Sequence, residues 1–397
     1  MDDKRPLDVI DPDSEWECTV EAPVNIALVK YWGKKDEKLI LPYNDSISLT
    51  LDETVLGTRT TVSYSATYEE DCLVLNGEEQ KISSRLENVI EEIRRAFRKH
   101  AVRNKMNAQN LMIMTRFRFR IVTENKMPTA AGLASSASGM ACITFALCTA
   151  LGIAESVDMS RLARLGSGSA CRSIYGGLVQ WEAGKEEDGS DSVAKQIYPA
   201  HAWPELRVLV LVVNGEKKKI GSTKGMQMSI ETSDFMISRP KQCKDRIQEV
   251  CWAFQAKHFP ALGEVIMKDS NTLHAICRDT LPPVNYLNET SEVLIEFVHD
   301  LNSIIGEVSV AYTFDAGPNC FLVFQEKHEH LLKWILSQTF LDSNGLLNTD
   351  KPKFDNDENL YADLIKQYQS KNYKVIKDFY CTEVGSGPKV VKNPTII

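Results

Sequence analysis

Four groups in this sequence have residue types and spacing that could do chemistry. The first is the run Pro128-Thr129-Ala130-Ala131-Gly132-Leu133-Ala134-Ser135-Ser136-Ala137-Ser138-Gly139. Small residues let a ligand approach the backbone closely. The run opens into an apolar helical stretch, and the first N–H groups of a helix lack internal partners while its dipole favours an anion. Together these make a phosphate site. Ser135 and Ser136 add hydroxyls where a phosphate or Mg²⁺ would lie. No Gly-Lys-Ser/Thr closes the run, so it is not a Walker loop. The plainer alternative is a close-packed helix start with serine caps.

The second group is Lys30, set with Asn25 in an otherwise apolar strand-like run from Ala22 and followed by Tyr31, Trp32 and Lys34. A lysine among apolar residues needs an anionic partner. A strand ending in a solvated basic turn would read the same way. The third is Gly166-Ser167-Gly168-Ser169-Ala170-Cys171-Arg172. An arginine fork can grip a carboxylate through two parallel hydrogen bonds, although a helix cap and turn fits as well. The fourth is Asp315, at the end of a strand-like run and before Gly317-Pro318. A carboxylate there suits catalysis or simply forms the turn.

The elements that must position these groups can be read coarsely. Strands are expected at 17–20, 26–31 and 57–67, rich in Val, Thr and Tyr. Residues 83–99 follow the helical period, with Leu86, Ile90, Ile93 and Phe97 on one face. Leu111 to Thr123 alternates, placing Arg116, Arg118 and Arg120 on a solvated strand face and Phe117, Phe119 and Ile121 opposite. A helix is expected over 133–151, a short one over 160–166, and a strand over 177–182. The charged run Lys185 to Ser192 reads as a linker or surface loop. Beyond it lie a strand at 206–213, long helices at 243–254, 259–277 and 291–304, and two strands around the Gly-Pro turn, 308–314 and 319–324. Mixed strands and helices without strict alternation indicate α+β.

Bulk properties narrow the function. A chain of 397 residues suggests two domains, placed at 1–200 and 201–397. A net charge of −8 argues against nucleic acid as a partner, yet a local basic cluster would still bind an anionic small molecule. Ten scattered cysteines without a C-x-x-C pair read as reduced thiols. Met1 to Trp16 lacks an apolar signal core, and no stretch is long enough to span a bilayer, so no membrane association and a cytoplasmic location are expected. The histidines show no ligand spacing, so no metal held by side chains alone is expected. The Asn44-Asp45-Ser46 and Asn288-Glu289-Thr290 triplets match a glycosylation pattern that is idle in such a compartment.

Taken together, these segments are more specific than apart. The run Pro128 to Ala137 resembles the phosphate loop of the GHMP kinase superfamily. Within it, Val24-Asn25-Ile26-Ala27-Leu28-Val29-Lys30-Tyr31-Trp32-Gly33-Lys34, Gly166-Ser167-Gly168-Ser169-Ala170-Cys171-Arg172-Ser173 and Phe314 to Asn319 resemble the mevalonate diphosphate decarboxylases. The likeness runs in order from about Cys18 to Phe324, and more weakly beyond. Ser138 and Cys320 depart from the usual alanine.

The resemblance implies an N-terminal domain like ribosomal protein S5 domain 2, a ferredoxin-like C-terminal domain, a cleft between them, and a homodimer. It implies ATP-dependent decarboxylation of (R)-5-diphosphomevalonate to isopentenyl diphosphate, with ATP and Mg²⁺. Pro128, Gly132, Leu133, Ala134, Ser135 and Ser136 would hold the nucleotide phosphates, with Ser136 near the transferred phosphoryl group or Mg²⁺. Asp315 would orient or deprotonate the substrate hydroxyl, with Lys30 beside it. Arg172 would hold the substrate carboxylate, helped by Asn25. Ser167, Ser169, Ser222 and Met226 would line the substrate site, with Tyr31 and Trp32 shaping its wall. A kinase that stops at phosphorylation, a decarboxylase of the monophosphate, and an inactive binding protein on the same fold remain open.

Overall fold

The structure, a computed structural model, describes residues 13–126, 135–213, 218–340, 350–352, 358–370 and 376–396. It contains three main sheets. A six-stranded sheet has the order Lys389–Ile396, Trp16–Pro23, Gly57–Ser65, Arg118–Asn125, Cys72–Leu75, Glu78–Gln80. One helix packing against it is Ser84–Arg103, started by the Ser83 side chain accepting from the Leu86 amide. Its buried stripe of Leu86, Val89, Ile90, Ile93 and Phe97 has the helical period that the sequence carries. The helix Ser135–Ala150 shares the same apolar cluster through Ala141, Cys142 and Leu147.

A four-stranded sheet follows, ordered Ala194–Tyr198, Leu178–Trp181, Ser46–Thr50, Asn25–Val29. A second four-stranded sheet is ordered Val310–Phe314, Cys320–Gln325, Leu206–Val213, Ile376–Glu383, with all its ladders antiparallel. The Phe259–Asp279 and Glu289–Ile305 helices bury their apolar faces in one cluster with these strands. That cluster also includes Ile26, Leu28, Ile47 and Leu49 of the preceding sheet. The mixed architecture is α+β, as expected.

Two features cross the expected division at residue 200. The last strand, Lys389–Ile396, pairs with Trp16–Pro23 in the first sheet. Gly385 exchanges backbone bonds with Thr50 and Gly177, tying the second sheet to the third.

The alternating segment Leu111 to Thr123 divides differently from the reading above. Residues Ala108–Met114 are helical, and only Arg118–Asn125 is strand. The Asn107 side chain caps the Asn110 amide at 2.7 Å, and that local bond overrides alternation. Within the strand, Phe119 and Ile121 are buried and Arg120 is exposed, so the solvated arginine face holds there. The charged run Lys185 to Ser192 is a loop between two strands of one sheet, folded around the Asp191 carboxylate. Asn288 caps the Glu289–Ile305 helix in a reciprocal box with Ser291. Asn44 is buried, with its amide on the Lys30 carbonyl.

Gly177 has φ +77°, and a Cβ there would lie 2.1 Å from the Tyr198 carbonyl oxygen. Gly77 has φ +84° in open space. Gly177→Ala therefore adds a backbone clash to a dihedral strain of about 1–3 kcal/mol, whereas Gly77→Ala carries only the strain. Thermal unfolding is expected to show a clearly larger drop in Tm for Gly177→Ala.

Candidate active site

Strand alternation builds one wall. In Ser46–Thr50, Ile47 and Leu49 point into the core while Ser46 and Ser48 point to Arg172. In Asn25–Val29, Ile26 and Leu28 are core, while Asn25 and Ala27 face a cavity. A bulge between Ala27 and Val29 ends regular pairing and delivers Lys30 at the strand's end.

The Lys30 ammonium lies 2.7 Å from the Asp315 carboxylate. The lysine side chain is 2% exposed and the aspartate 43%, so the pair presents its carboxylate to the cavity. The Lys30 amide donates to Asp269 at 2.7 Å, and its carbonyl accepts from Asn44 at 2.9 Å.

Arg172 is buried on a tight turn, Gly168–Ile174. Its Nε donates to Asn25 Oδ1 at 3.2 Å and Ser48 Oγ at 3.1 Å, and its Nη1 donates to Ser46 Oγ at 2.6 Å. These partners are all neutral. The Asn25 amide is in turn fixed by the Ser169 carbonyl and Ser173 hydroxyl. Burial pulls the Arg172 pKa below the usual arginine range, with Asp315 opposing part of that shift. The Trp181 ring stands 5.8 Å from the guanidinium. Gly168 lets the turn approach, since a Cβ would sit 2.9 Å from the Tyr31 ring.

One cavity of about 320 Å³ joins these groups. Its lining includes Asn25, Lys30, Tyr31, Trp32, Ser136, Ser167, Ser169, Arg172, Ser222, Met226 and Asp315, from both halves of the chain. Trp32 also packs edge-on against Tyr286 and donates to Ser229, which braces the Ser222–Thr232 helix carrying Ser222 and Met226. Ser136 is exposed near the start of the Ser135–Ala150 helix. Pro128, Gly132, Leu133, Ala134 and the Ser135 side chain lie outside the described residues.

Sequence reasoning did not single out Lys34, Arg85 and Lys218 as site residues, yet they line the same cavity. The Lys34 ammonium is shielded from water and has no hydrogen-bond partner among the described residues. Burial first, then the charge of Arg85, lowers its pKa from the lysine value. Lys34 stood in the quoted motif, so its position after Trp32-Gly33 was a usable signal. Arg85 looks like an ordinary helix-surface charge in sequence. Ser46 and Ser48 were also missed, and their signal is the alternation of Ser46-Ile47-Ser48-Leu49. The ten cysteines are all free, and burial pushes the Cys171 thiol, beside Arg172, up to about 12. Among the described residues no group of three His, Cys, Asp or Glu side chains could hold a metal.

A basic cavity with a lysine–aspartate pair and a helix start at its edge suits transfer of a phosphoryl group to a small anion. Comparison with known proteins agrees with that class. The chain has the fold of the GHMP kinases, overlaying a mevalonate 5-diphosphate decarboxylase crystal structure with TM-score 0.82 and 39% identity, over 95% of this chain and 97% of that one.

Within that class the match is closer. Residues 22–194 match the diphosphomevalonate decarboxylase-like N-terminal domain, and 208–391 the mevalonate 5-diphosphate decarboxylase C-terminal domain. The chain is 48% identical over 303 residues to the diphosphomevalonate decarboxylase of Bos taurus, covering 76% of this chain and 75% of that protein. A solved structure described as MDDEF in complex with MVAPP, AMPPCP and magnesium is 32% identical with TM-score 0.72, over 96% of this chain and all of that one. The chain belongs to the diphosphomevalonate decarboxylase family.

Proposed function

We propose that this enzyme's cavity binds mevalonate diphosphate with its tertiary hydroxyl at Asp315, its carboxylate at Arg172 and its diphosphate at Lys34 and Arg85. The enzyme catalyses ATP-dependent decarboxylation of that substrate to isopentenyl diphosphate, ADP, phosphate and CO₂ in the mevalonate pathway of isoprenoid biosynthesis. The observation that carries the assignment is the Lys30–Asp315 pair facing the cavity that Arg172 also lines. Among the described residues the lining holds Lys30, Lys34, Arg85, Arg172 and Lys218 against the single carboxylate of Asp315. That balance suits a ligand with several negative charges.

Asp315 accepts the hydroxyl proton as the oxygen bonds to phosphorus. When bound, MgATP supplies the phosphoryl group and part of the charge neutralisation. Converting the hydroxyl to phosphate turns a poor leaving group into a good one. Phosphate then departs with the C–O electron pair, and positive charge develops at the tertiary carbon. Asp315 returns the proton to the departing phosphate, and its carboxylate, ionised again, favours that charge. The bond to the substrate carboxylate breaks, its electrons form the alkene, and CO₂ leaves. Arg172 holds the carboxylate in line until then. Its neutral hydrogen-bond partners support this role, because among the described residues no carboxylate is hydrogen-bonded to it in the substrate's place.

Ser136 and the helix start behind it would face the nucleotide phosphates, with Ser136 near the transferred phosphoryl group or Mg²⁺. Ser167 and Ser169 add donors on the substrate side, with Ser222, Met226, Tyr31 and Trp32 completing its wall. Pro128, Gly132, Leu133, Ala134 and Ser135 belong to the nucleotide side by family likeness alone. A magnesium ion here would depend on phosphate oxygens for most of its ligands. The homodimer, which rests on the same likeness, the division near residue 200, which rests on chain length and that likeness, and a cytoplasmic location, which rests on the polar N-terminal sequence, complete the proposal. Among the described residues no helix is long and apolar enough to cross a membrane.

The first test supplies MgATP and substrate labelled at the carboxyl carbon, and counts CO₂ against ADP. One CO₂ per ADP is expected, and ADP without CO₂ would make the enzyme a kinase and remove the role of Arg172. Asp315→Asn is expected to lower kcat by about 10²–10⁴ while the protein still folds and binds substrate. Near-normal turnover would remove Asp315 from the chemistry.

The lowered Lys34 pKa gives a second expectation. The charged ammonium binds the diphosphate, so KM for the substrate should rise with pH, beginning below the ordinary lysine range. Lys34→Ala should raise KM at neutral pH and flatten that rise, leaving kcat nearly unchanged. A KM insensitive to the substitution would place the diphosphate elsewhere.

A further inference from the structure

The chemistry proposed above needs Lys30 and Asp315 in register, yet they lie 285 residues apart in the chain. Each follows a strand, and neither strand pairs with the other. What joins them is one step of the Phe259–Asp279 helix. Asp269 and Ser270 are adjacent there, and both are fully buried. Asp269 Oδ2 accepts the Lys30 amide at 2.7 Å. Ser270 Oγ accepts the amide of Phe314, the residue before Asp315, at 3.0 Å. Neighbouring Cα atoms are about 3.8 Å apart and rigid within a helix. The two backbone segments are therefore anchored at a fixed spacing.

The helix step is itself braced. Arg239 forks onto Asp269 at 2.7 and 2.9 Å, and Arg246 adds a contact at 2.8 Å. Arg239 also donates to the Lys30 carbonyl at 3.2 Å, so both backbone polar groups of that residue are tied to the network. Burial alone would raise the Asp269 pKa, but the charge and hydrogen bonds of Arg239 outweigh it and hold the carboxyl below the usual range. Its charge is thus matched inside the protein. Neither Asp269 nor Ser270 lines the cavity, so neither is placed to touch substrate.

We propose that Asp269 and Ser270 are positioning residues that set the geometry of the Lys30–Asp315 pair for reaction, an inference that rests on the role given to Asp315 above. Their effect passes through the backbone of Lys30 and Phe314. It concerns the rate of the chemical step and leaves ligand binding largely alone.

Ser270→Ala is the primary test, because it removes one acceptor and leaves every charge in place. It is expected to lower kcat about 10–100-fold, the scale of a misplacement near 1 Å. Dissociation constants for mevalonate diphosphate and for a non-hydrolysable ATP analogue should stay within about twofold. A merely structural role predicts the opposite split, with Tm and both dissociation constants moving and kcat per folded molecule unchanged. That pattern would overturn the proposal.

A cycle with Asp315→Asn, followed by single-turnover release of labelled CO₂, adds a second readout. Residues that act through one group are non-additive. Ser270→Ala should therefore cost less than about twofold in the Asp315→Asn background, and multiplying losses would count against it. Asp269→Asn should show the same kcat loss if it folds, although it leaves Arg239 short of its buried counter-charge. Normal turnover by Asp315→Asn alone would instead overturn the role of Asp315. A slow Asp315→Asn beside a normal Ser270→Ala would sink only the positioning role.

Discussion

The site depends on keeping a lysine ammonium out of water. Lys30 is 2% exposed, and a buried charge without a partner is costly. Asp315 supplies the partner while remaining partly open to the cavity. This asymmetry matters for chemistry. A pair sealed on both sides would be inert, and a fully exposed one would be screened. Half-burial leaves the carboxylate accessible and fixes its direction. It also demands that the first and last thirds of the chain meet within hydrogen-bond distance, which explains why so many long-range backbone bonds converge on the peptide of Lys30.

Arg172 shows the complementary arrangement. It is buried like Lys30, but it meets two serine hydroxyls, an asparagine oxygen and the face of an indole. Neutral dipoles solvate part of its charge and leave the rest unmatched. Lys34 goes further, with no hydrogen-bond partner at all among the described residues. Both groups would gain most when an anion arrives, because the cost of drying them has been met during folding. Each cation is therefore selective for ligands that bring their own charge to a particular place in the cavity.

Much of this was legible in the chain. Asp315, Lys30, Arg172 and the serines around them stand in contiguous motifs, and the helices expected at 243–254, 259–277 and 291–304 announce themselves through their period, although the first begins eight residues earlier, at Phe235. What was not legible has a common cause. The last strand pairs with the first although most of the chain lies between them, and nothing local marks Lys389–Ile396 for that partner. Asp269, Arg239 and Ser270 sit inside amphipathic helices, where a charged residue ordinarily reads as solvent-facing. Their burial comes from tertiary contact alone. At Leu111 the failure was local instead: an asparagine cap outweighed an alternating pattern too short to settle the matter.

The buried network around Asp269 also bears on why the pair is held by backbone and not by side chains. A side-chain brace on Lys30 Nζ or on the Asp315 carboxylate would occupy the lone pairs and protons that the reaction needs. Anchoring the Lys30 and Phe314 amides leaves both functional ends unencumbered. The cost falls on Asp269, which must be buried with its charge, and the two arginines meet it at hydrogen-bond distance. A neutral acceptor at 269 would hold the Lys30 amide more weakly, and it could not keep Arg239 and Arg246 in place. The charge at Asp269 is therefore explained by the brace behind it, and the brace by the need for two distant peptide units to keep a constant separation while the cavity fills.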